Sequence, residues 1–196
     1  MTVTFTDADA GNLPDTVSSS DSLSDILNEW ASAFTGSHTN ITGTFGGTAD
    51  NSWYSYFGVP LSGETYSYGS DADGYKFVAT GDLYYYFNST VTPASPASPD
   101  DHTVFGELDS ISLYADADGD NLADDLFLTI NFDTPITSAI TEGQDGEVFQ
   151  IIWGLMNGDA TELLSELTAQ SVDVSDSFAD LTGSSALAES ELLLAA

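Results

Sequence analysis

The strongest constraint on the fold is a change in the period of the hydrophobic residues along the chain. From about Gly43 to Phe132, aromatic and β-branched residues come in short runs separated by Gly, Asn, Asp and Pro, which is the pattern of β-strands. Five runs are predicted as strands: SWYSYFGV, ETYSYG, YKFVATGDLYYYFN, HTVFGELDSISLYA and DLFLTINF. No helical pattern lies between them, so the sequence favours antiparallel pairing over parallel crossovers.

Helical periodicity flanks this block on both sides. The segment before it has one apolar helical face, formed by Leu23, Ile26, Leu27, Trp30 and Phe34. Ser22 with Asp25 resembles a capping box at the start of that helix. After the block, EVFQIIWGLMNG ends at Gly158, and DATELLSELTAQ opens with Asp159 as the expected N-cap. This order of elements predicts an α+β domain, with helices packed on one face of a curved antiparallel sheet.

The charge balance limits the partners of the chain. Its 32 acidic residues face one lysine, Lys76, and no arginine, which gives a formal net charge of -31. Nucleic acids and anionic lipid surfaces are therefore excluded as partners, because both are bound through Lys and Arg. Such self-repulsion opposes folding unless salt screens it, which predicts salt-dependent folding in a saline habitat. An acidic secreted protein from an ordinary habitat is the alternative.

The sequence has no recognisable membrane or Sec-type targeting segment. Its first residues, MTVTFTDADAGNLPD, contain neither a basic n-region nor an apolar h-region. No apolar run approaches the length of a membrane span, so membrane insertion is not expected. The absence of cysteine excludes disulfides and thiolate metal sites.

The residue types also argue against an enzyme. Only His38 and His102 could serve as a catalytic imidazole, and neither lies in a recognisable nucleophile motif. No pair stands out among the many carboxylates.

One acidic run could bind calcium. In DADGDNLADD, the spacing 1, 3, 5 and 9 resembles a calcium loop and is occupied by Asp116, Asp118, Asp120 and Asp124. However, Asn121 stands where an EF-hand has glycine, and Phe127 stands where it has a bidentate glutamate. A solvated hairpin loop is the alternative interpretation.

The tyrosine run in GDLYYYFN is the other candidate for chemistry. Alternation along a strand puts Tyr84 and Tyr86 on one face, and Leu83, Tyr85 and Phe87 on the other. Most strand tyrosines only pack and make one hydrogen bond. A neighbouring imidazole such as that of His102 would increase phenolate character, and tyrosinate is an axial ligand of ferric haem.

Taken together, these segments resemble the HasA-type haemophores, secreted bacterial proteins that capture haem and deliver it to an outer-membrane receptor. The resemblance extends from about Leu23 to Ala196, in the family's order, through WASAF, HTN, GDLYYYFN, HTVFGELDSISL, QDGEVFQIIWGLMNGD and ELLLAA. GELDSIS and GLMNGD are specific when they occur together. Both histidines of the chain fall at positions that are functional in the family.

The resemblance implies a haem site between two loops at one end of the sheet. His38 would be one axial ligand of ferric haem b, and Tyr85 would be the other when the strand is aligned on GDL. Alignment on the downstream FN would choose Tyr84 instead. His102 would hydrogen-bond the ligand tyrosine. The insertion STVTPASPASPDD lengthens the connection between them, so the sequence leaves open whether His102 reaches the tyrosine. Other positions near the haem would be Tyr66, Trp153 and Met156, of which the last two could equally belong to the helix-on-sheet core.

The same resemblance implies the organisation and partners of the chain. Residues 1–20 would be an N-terminal extension, 21–185 the haemophore domain and 186–196 a tail resembling a type I export signal. The protein would be secreted, non-enzymatic, and partnered by an outer-membrane haem receptor and a type I secretion apparatus. Two rivals are an extracellular calcium-binding or adhesion module without haem, and a haem peroxidase, which the absence of arginine disfavours.

Overall fold

The computed structural model of the chain is built around one large antiparallel sheet. It describes residues 3–6, 8–14, 16–32, 43–48, 55–56, 59–70, 74–86, 98, 100, 102–116, 119–120 and 122–182. The strands are β1 (Val3–Thr6), β2 (Thr44–Gly46), β3 (Ser55–Tyr56), β4 (Val59–Pro60), β5 (Ser62–Ser70), β6 (Tyr75–Tyr86), β7 (Thr103–Ala115) and β8 (Asp125–Ser138). The helices are α1 (Leu23–Ser32), α2 (Glu147–Met156) and α3 (Thr161–Ala169), with 3-10 helices at Ala10–Asn12 and Ile140–Asp145.

Six strands form this sheet in the order β1-β8-β7-β6-β5-β2, with antiparallel neighbours throughout. The pairing of β6 with β7 shifts register by one residue between Thr80 and Leu83. Gly81 and Gly106 lie at this bulge with φ of 149° and 116°, and a Cβ on either would lie 2.1 Å from a backbone oxygen of the opposing strand. Only glycine fits this close approach of the two backbones. The two glycines therefore determine where along β6 and β7 the bulge forms.

The three helices lie on one face of the sheet, as the sequence predicted. Helix α2 contacts β7 and β8, and α3 packs against α2. Helix α1 buries Leu23, Ile26, Leu27 and Trp30 of its predicted apolar face, whereas Phe34 lies outside the described residues. The Trp30 indole N–H donates to the carbonyl of Tyr114 at 3.0 Å. The helices share one core with the inward residues of the long strands, among them Phe77, Ile111 and Ile130. The α+β prediction is confirmed.

The helix starts follow local capping chemistry. The backbone N–H of Asp25 donates to Ser22 Oγ at 3.1 Å, and that hydroxyl donates to Asp25 Oδ2 at 2.7 Å, which confirms the predicted capping pair. At α3 the N-cap is Ala160, one residue later than predicted. Asp159 Oδ1 instead accepts the backbone N–H of Thr161 at 2.8 Å. Hydrogen bonds from Thr161 lower the pKa of Asp159.

The described residues among the first twenty are part of the folded structure. Strand β1 pairs with β8 at the sheet edge and buries Phe5, while Leu13 is buried behind it. Further along the chain, the segment 173–182 returns to the start of α1. There the backbone N–H of Phe178 donates to the carbonyl of Asp21 at 3.0 Å, and the Phe178 ring is buried in the core. Ser22 and Ser177 therefore lie side by side, joined by an isolated antiparallel bridge.

Two strand predictions differ from the structure. SWYSYFGV was expected as one strand, but its described residues form β3 and the first residue of β4, which pair with each other in a separate two-stranded sheet. DLFLTINF was expected to end at Phe132, whereas β8 continues past Pro135 to Ser138. Pro135 falls in an irregularity between Asn131 and Ile136, where the ladder to β7 is interrupted. A proline, which has no N–H to donate, is tolerated at such a bulge.

Candidate functional site

Adjacent tyrosines at the end of β6 lie on opposite faces of the sheet. Tyr84 lies on the face opposite the main core, where it stacks on Phe105 with ring centroids 5.4 Å apart. Its hydroxyl donates to Asp82 Oδ2 at 2.6 Å, and it belongs to a small second cluster with Tyr86, Phe105 and Ile140. Tyr85 lies on the helix-covered face and packs against the main core. The two candidate tyrosines therefore have entirely different surroundings.

The structure brings Tyr85 and His102 together. The phenol oxygen of Tyr85 and Nδ1 of His102 form a hydrogen bond, and the ring centroids are 5.9 Å apart. The backbone N–H of Tyr85 donates to the carbonyl of Leu61 at 2.8 Å, which fixes the strand from which the phenol projects. Tyr85 is half-buried and His102 is exposed. A phenol hydrogen-bonded to an imidazole can transfer its proton to that base.

Tyr66 and Met156 form a second pair on the same face of the sheet. The hydroxyl of Tyr66 donates to Met156 Sδ at 3.4 Å, which joins β5 to the end of α2. Tyr66 is buried, and burial raises the pKa of its phenol, with smaller contributions from Tyr68 and Tyr85. The Cα of Gly43 lies against this ring, since a Cβ there would be 1.9 Å from the Tyr66 hydroxyl. Tyr66 is therefore a neutral, buried hydrogen-bond donor.

Trp153 lies on the exposed side of α2. Its side chain is 43% exposed, although tryptophan is usually well buried. It stacks on Phe149 one helical turn earlier, with centroids 5.6 Å apart and ring planes 14° apart. Trp153 is thus not a core residue, and Met156 is half-buried. An aromatic surface is available on α2 for a flat apolar ligand.

The remaining predicted ligands are not assembled among the described residues. His38 lies outside the residues that the structure describes. In the acidic run, Asp116 Oδ1 accepts the backbone N–H of Gly119 at 2.9 Å. Asp120 Oδ1 accepts the backbone N–H of Leu122, also at 2.9 Å. Asp118 lies outside the described residues, and Asp124 is exposed. Among the residues described, no group of three or more His, Asp or Glu side chains could hold a metal ion.

Two residues of this region were not identified from the sequence. Phe149 is the stacking partner of Trp153, and the four-residue spacing of two aromatics on a helix could have indicated that contact. Asp100, two residues before His102 in the sequence, accepts the backbone N–H of Gln144 at 3.0 Å. Nothing in the sequence distinguishes this carboxylate from the 31 other acidic residues.

Comparisons with known proteins agree on one family. Residues 14–196 match the family model of heme-binding protein A, HasA. The hemophore HasA of Serratia marcescens is 33% identical over 156 residues, covering 74% of this chain and 73% of that protein. The apo and holo structures of the hemophore HasA from Yersinia pestis are each 22% identical, with a TM-score of 0.61, and cover 92% of this chain and 96% of theirs. These structural likenesses bear on the fold alone.

The class that these matches define is a haem-binding protein with an α+β fold. The chain belongs to the HasA family. Within the described part of the chain, no helix is long and apolar enough to cross a membrane.

Proposed function

We propose that this protein is an extracellular haemophore, which captures ferric haem b and delivers it to an outer-membrane receptor for iron acquisition. Membership of the HasA family and the relationship to a Serratia hemophore support this function. The observation that carries the proposal in this chain is the hydrogen bond between Tyr85 and His102.

Tyr85 is the proposed axial ligand on one side of the iron. A phenol binds ferric iron well once it has lost its proton, and the hydrogen bond to His102 Nδ1 gives that proton a nearby acceptor. The imidazole can then donate back to the phenolate oxygen and hold the ring in one orientation. The hydroxyl of Tyr84 donates instead to the carboxylate of Asp82, on the other face of the sheet. These contacts favour Tyr85 over Tyr84.

The remaining contacts of the haem are proposed from side chains on β5 and α2 that the family resemblance places near haem. The flat aromatic surface of Trp153 and the thioether of Met156 suit the porphyrin face, and the buried hydroxyl of Tyr66 orients the thioether. His38 is the proposed second axial ligand, from the segment that precedes Gly43. An anionic phenolate ligand stabilises Fe(III) over Fe(II), so the bound haem would resist reduction and serve as cargo rather than as a catalytic centre.

The charge of the protein constrains how haem is oriented. The chain has a formal net charge of -31, and each haem brings two carboxylates. We therefore expect the propionates to face solvent, where salt screens their repulsion from the protein. Export by a type I apparatus through the tail at residues 186–196 completes the proposed function.

A haem titration tests this function. Ferric haem is added to the protein in molar salt, while the Soret band and the tryptophan emission are followed. We expect saturation at one equivalent, with quenching that Trp153→Phe partly removes, because the indole of this exposed residue is a proposed contact of the haem. Absence of a saturating spectral change from a protein that circular dichroism shows to be folded would contradict haem capture, and calcium would be titrated next.

A further inference from the structure

The backbone of His102 has an unusual conformation. Its φ is +59°, and among the described residues only Ser171 is another non-glycine residue with positive φ. Side chains with a Cβ rarely adopt this left-handed region, and they keep it only where the surroundings impose it. The residues before and after His102 should therefore contain the contacts that impose it.

Those contacts form a closed turn, which we call the histidine turn and define as Ser98, Asp100, His102 and Thr103. The backbone N–H of Asp100 donates to Ser98 Oγ at 3.1 Å, and Ser98 Oγ lies 2.9 Å from Thr103 Oγ1. Thr103 Oγ1 also lies 3.3 Å from the carbonyl of Asp100, to which it can donate. Thr103 is fully buried as the first residue of β7, so the turn starts from a fixed point.

One side chain connects the histidine turn to a different part of the fold. Asp100 Oδ2 accepts the backbone N–H of Gln144 at 3.0 Å, across 44 residues of sequence. Gln144 belongs to the 3-10 helix Ile140–Asp145, which is kinked at Gly143 with φ of 63°. Ile140 of the same helix is buried with Tyr84 and Phe105, so this helix is packed on the sheet. Asp100 thus joins the histidine turn to the 3-10 helix that packs on the sheet.

We propose that Asp100 is the positioning residue for His102. Its carboxylate holds the histidine turn against the 3-10 helix, so that the imidazole meets the Tyr85 hydroxyl in one orientation. The role in haem retention rests on the proposed function, but the positioning itself exists without haem. Asp100 stands within STVTPASPASPDD, the insertion predicted from the family resemblance, and its contact with Gln144 explains how His102 reaches Tyr85 from the end of that segment.

The first test uses the haem-free protein in molar salt. The chain has only two histidines, so ¹⁵N spectra of the imidazoles can be assigned with His102→Ala. A fixed hydrogen bond to Nδ1 holds neutral His102 in one tautomer, with its proton on Nε2. We expect Asp100→Ala to give the averaged tautomer signals of a free histidine. Asp100→Asn should keep the single tautomer, because its amide oxygen can still accept from Gln144.

Two further variants keep this test decisive. Asp133→Ala removes one exposed carboxylate elsewhere on the sheet and should leave the tautomer unchanged. If Asp100→Ala fails to fold, Asp100→Leu is used instead, because leucine is closer to aspartate in length but has no oxygen to accept from Gln144, and it should produce the same averaging. A single, unchanged tautomer in folded Asp100→Ala, or in folded Asp100→Leu where that variant is used, would overturn the proposal.

The second test measures how fast haem is lost to an excess of a competing haem acceptor. Asp100→Ala and His102→Ala should each accelerate loss about tenfold, since each removes the hydrogen bond to a charged ligand. The double variant should be no faster than His102→Ala alone. Additive effects would contradict positioning through His102. If neither variant affects haem loss while Asp100→Ala still changes the tautomer, the proposed role of His102 fails and the positioning by Asp100 stands.

Discussion

The chemistry of each tyrosine at this site depends on the group that its hydroxyl contacts, more than on its being a tyrosine. Tyr84, Tyr85 and Tyr66 are all strand tyrosines with limited exposure, yet their hydroxyls meet a carboxylate, an imidazole and a thioether, respectively. Each acceptor gives the phenol a different chemistry: a carboxylate accepts a charge-assisted hydrogen bond, an imidazole can take its proton, and a thioether accepts a weak hydrogen bond. Function at this scale follows from which acceptor each tyrosine meets.

The Tyr66–Met156 contact can be tested by a double-mutant cycle. Met156→Leu leaves the buried Tyr66 hydroxyl without its sulfur acceptor, so we expect unfolding free energy to fall by about 1–3 kcal/mol. In a Tyr66→Phe background the same change should cost less, by about 1 kcal/mol, because no hydroxyl is left unsatisfied. Denaturant titrations of the four proteins in molar salt give the coupling. Strictly additive losses would show that the contact contributes nothing.

Helices and strands were more predictable than their boundaries and connections. The apolar spacing of Leu23 to Trp30 and the alternation along β6 each reflect burial on one side, which a sequence records directly. The extension of β8 beyond Phe132 was missed because Pro135 argues against a strand unless the partner strand is known to be irregular there. Likewise, the sequence shows which residues alternate with Tyr85, but not that Asp100 contacts Gln144, since that pairing depends on tertiary structure.

Two carboxyl groups meet between α2 and α3, those of Glu147 and Glu166. They make the contribution of this helix contact to stability dependent on pH. A hydrogen bond to the Glu166 side chain, then burial, then the charges of Glu166, Glu162 and Glu142 raise the pKa of Glu147 from 4.5 to about 7. Because the folded-state pKa is raised, the protonated pair stabilises the fold below the unfolded-state value of 4.5, and this contribution is lost as pH rises through about 7.

Glu147→Gln should remove that pH dependence, because a glutamine side chain stays neutral. Between pH 5 and pH 8 in molar salt, the denaturation midpoint of the unaltered protein should therefore fall more steeply than that of Glu147→Gln. Glu29→Gln, an exposed change on α1, serves as the matched control and should behave like the unaltered protein. Equal slopes for all three proteins would contradict the shared proton between α2 and α3.

For the whole molecule, net charge is the dominant constraint on stability. One hydrophobic core contains both Phe5 on β1 and Phe178 near the end of the described chain. The core therefore holds the two ends of the described chain together. Against this cohesion stand 32 acidic residues and a single lysine, whose ammonium lies 4.7 Å from the Tyr114 ring centroid. The composition made the repulsion evident from the sequence, whereas the return of residues 173–178 to the start of α1 required the structure.

We predict that the melting temperature rises steeply with sodium chloride at low concentration and then levels off. Screening is the reason: the Debye length shortens from about 30 Å at 0.01 M to about 10 Å at 0.1 M and about 3 Å at 1 M. Calorimetry across this range checks the prediction. A melting temperature that does not depend on salt, or one that rises only above molar concentration, would mean that repulsion does not limit stability.

The most direct test of the proposed function compares ferric haem binding by Tyr85→Phe and Tyr84→Phe, using the Soret band in molar salt. Each change removes one hydroxyl from adjacent rings, so the pair is closely matched. We expect Tyr85→Phe to alter the spectrum and weaken haem retention by more than about tenfold, since even residues that only support a metal ligand change affinity about 10- to 100-fold. Tyr84→Phe should match the unaltered protein. The reverse result, or two unaltered spectra, would contradict haem capture through Tyr85.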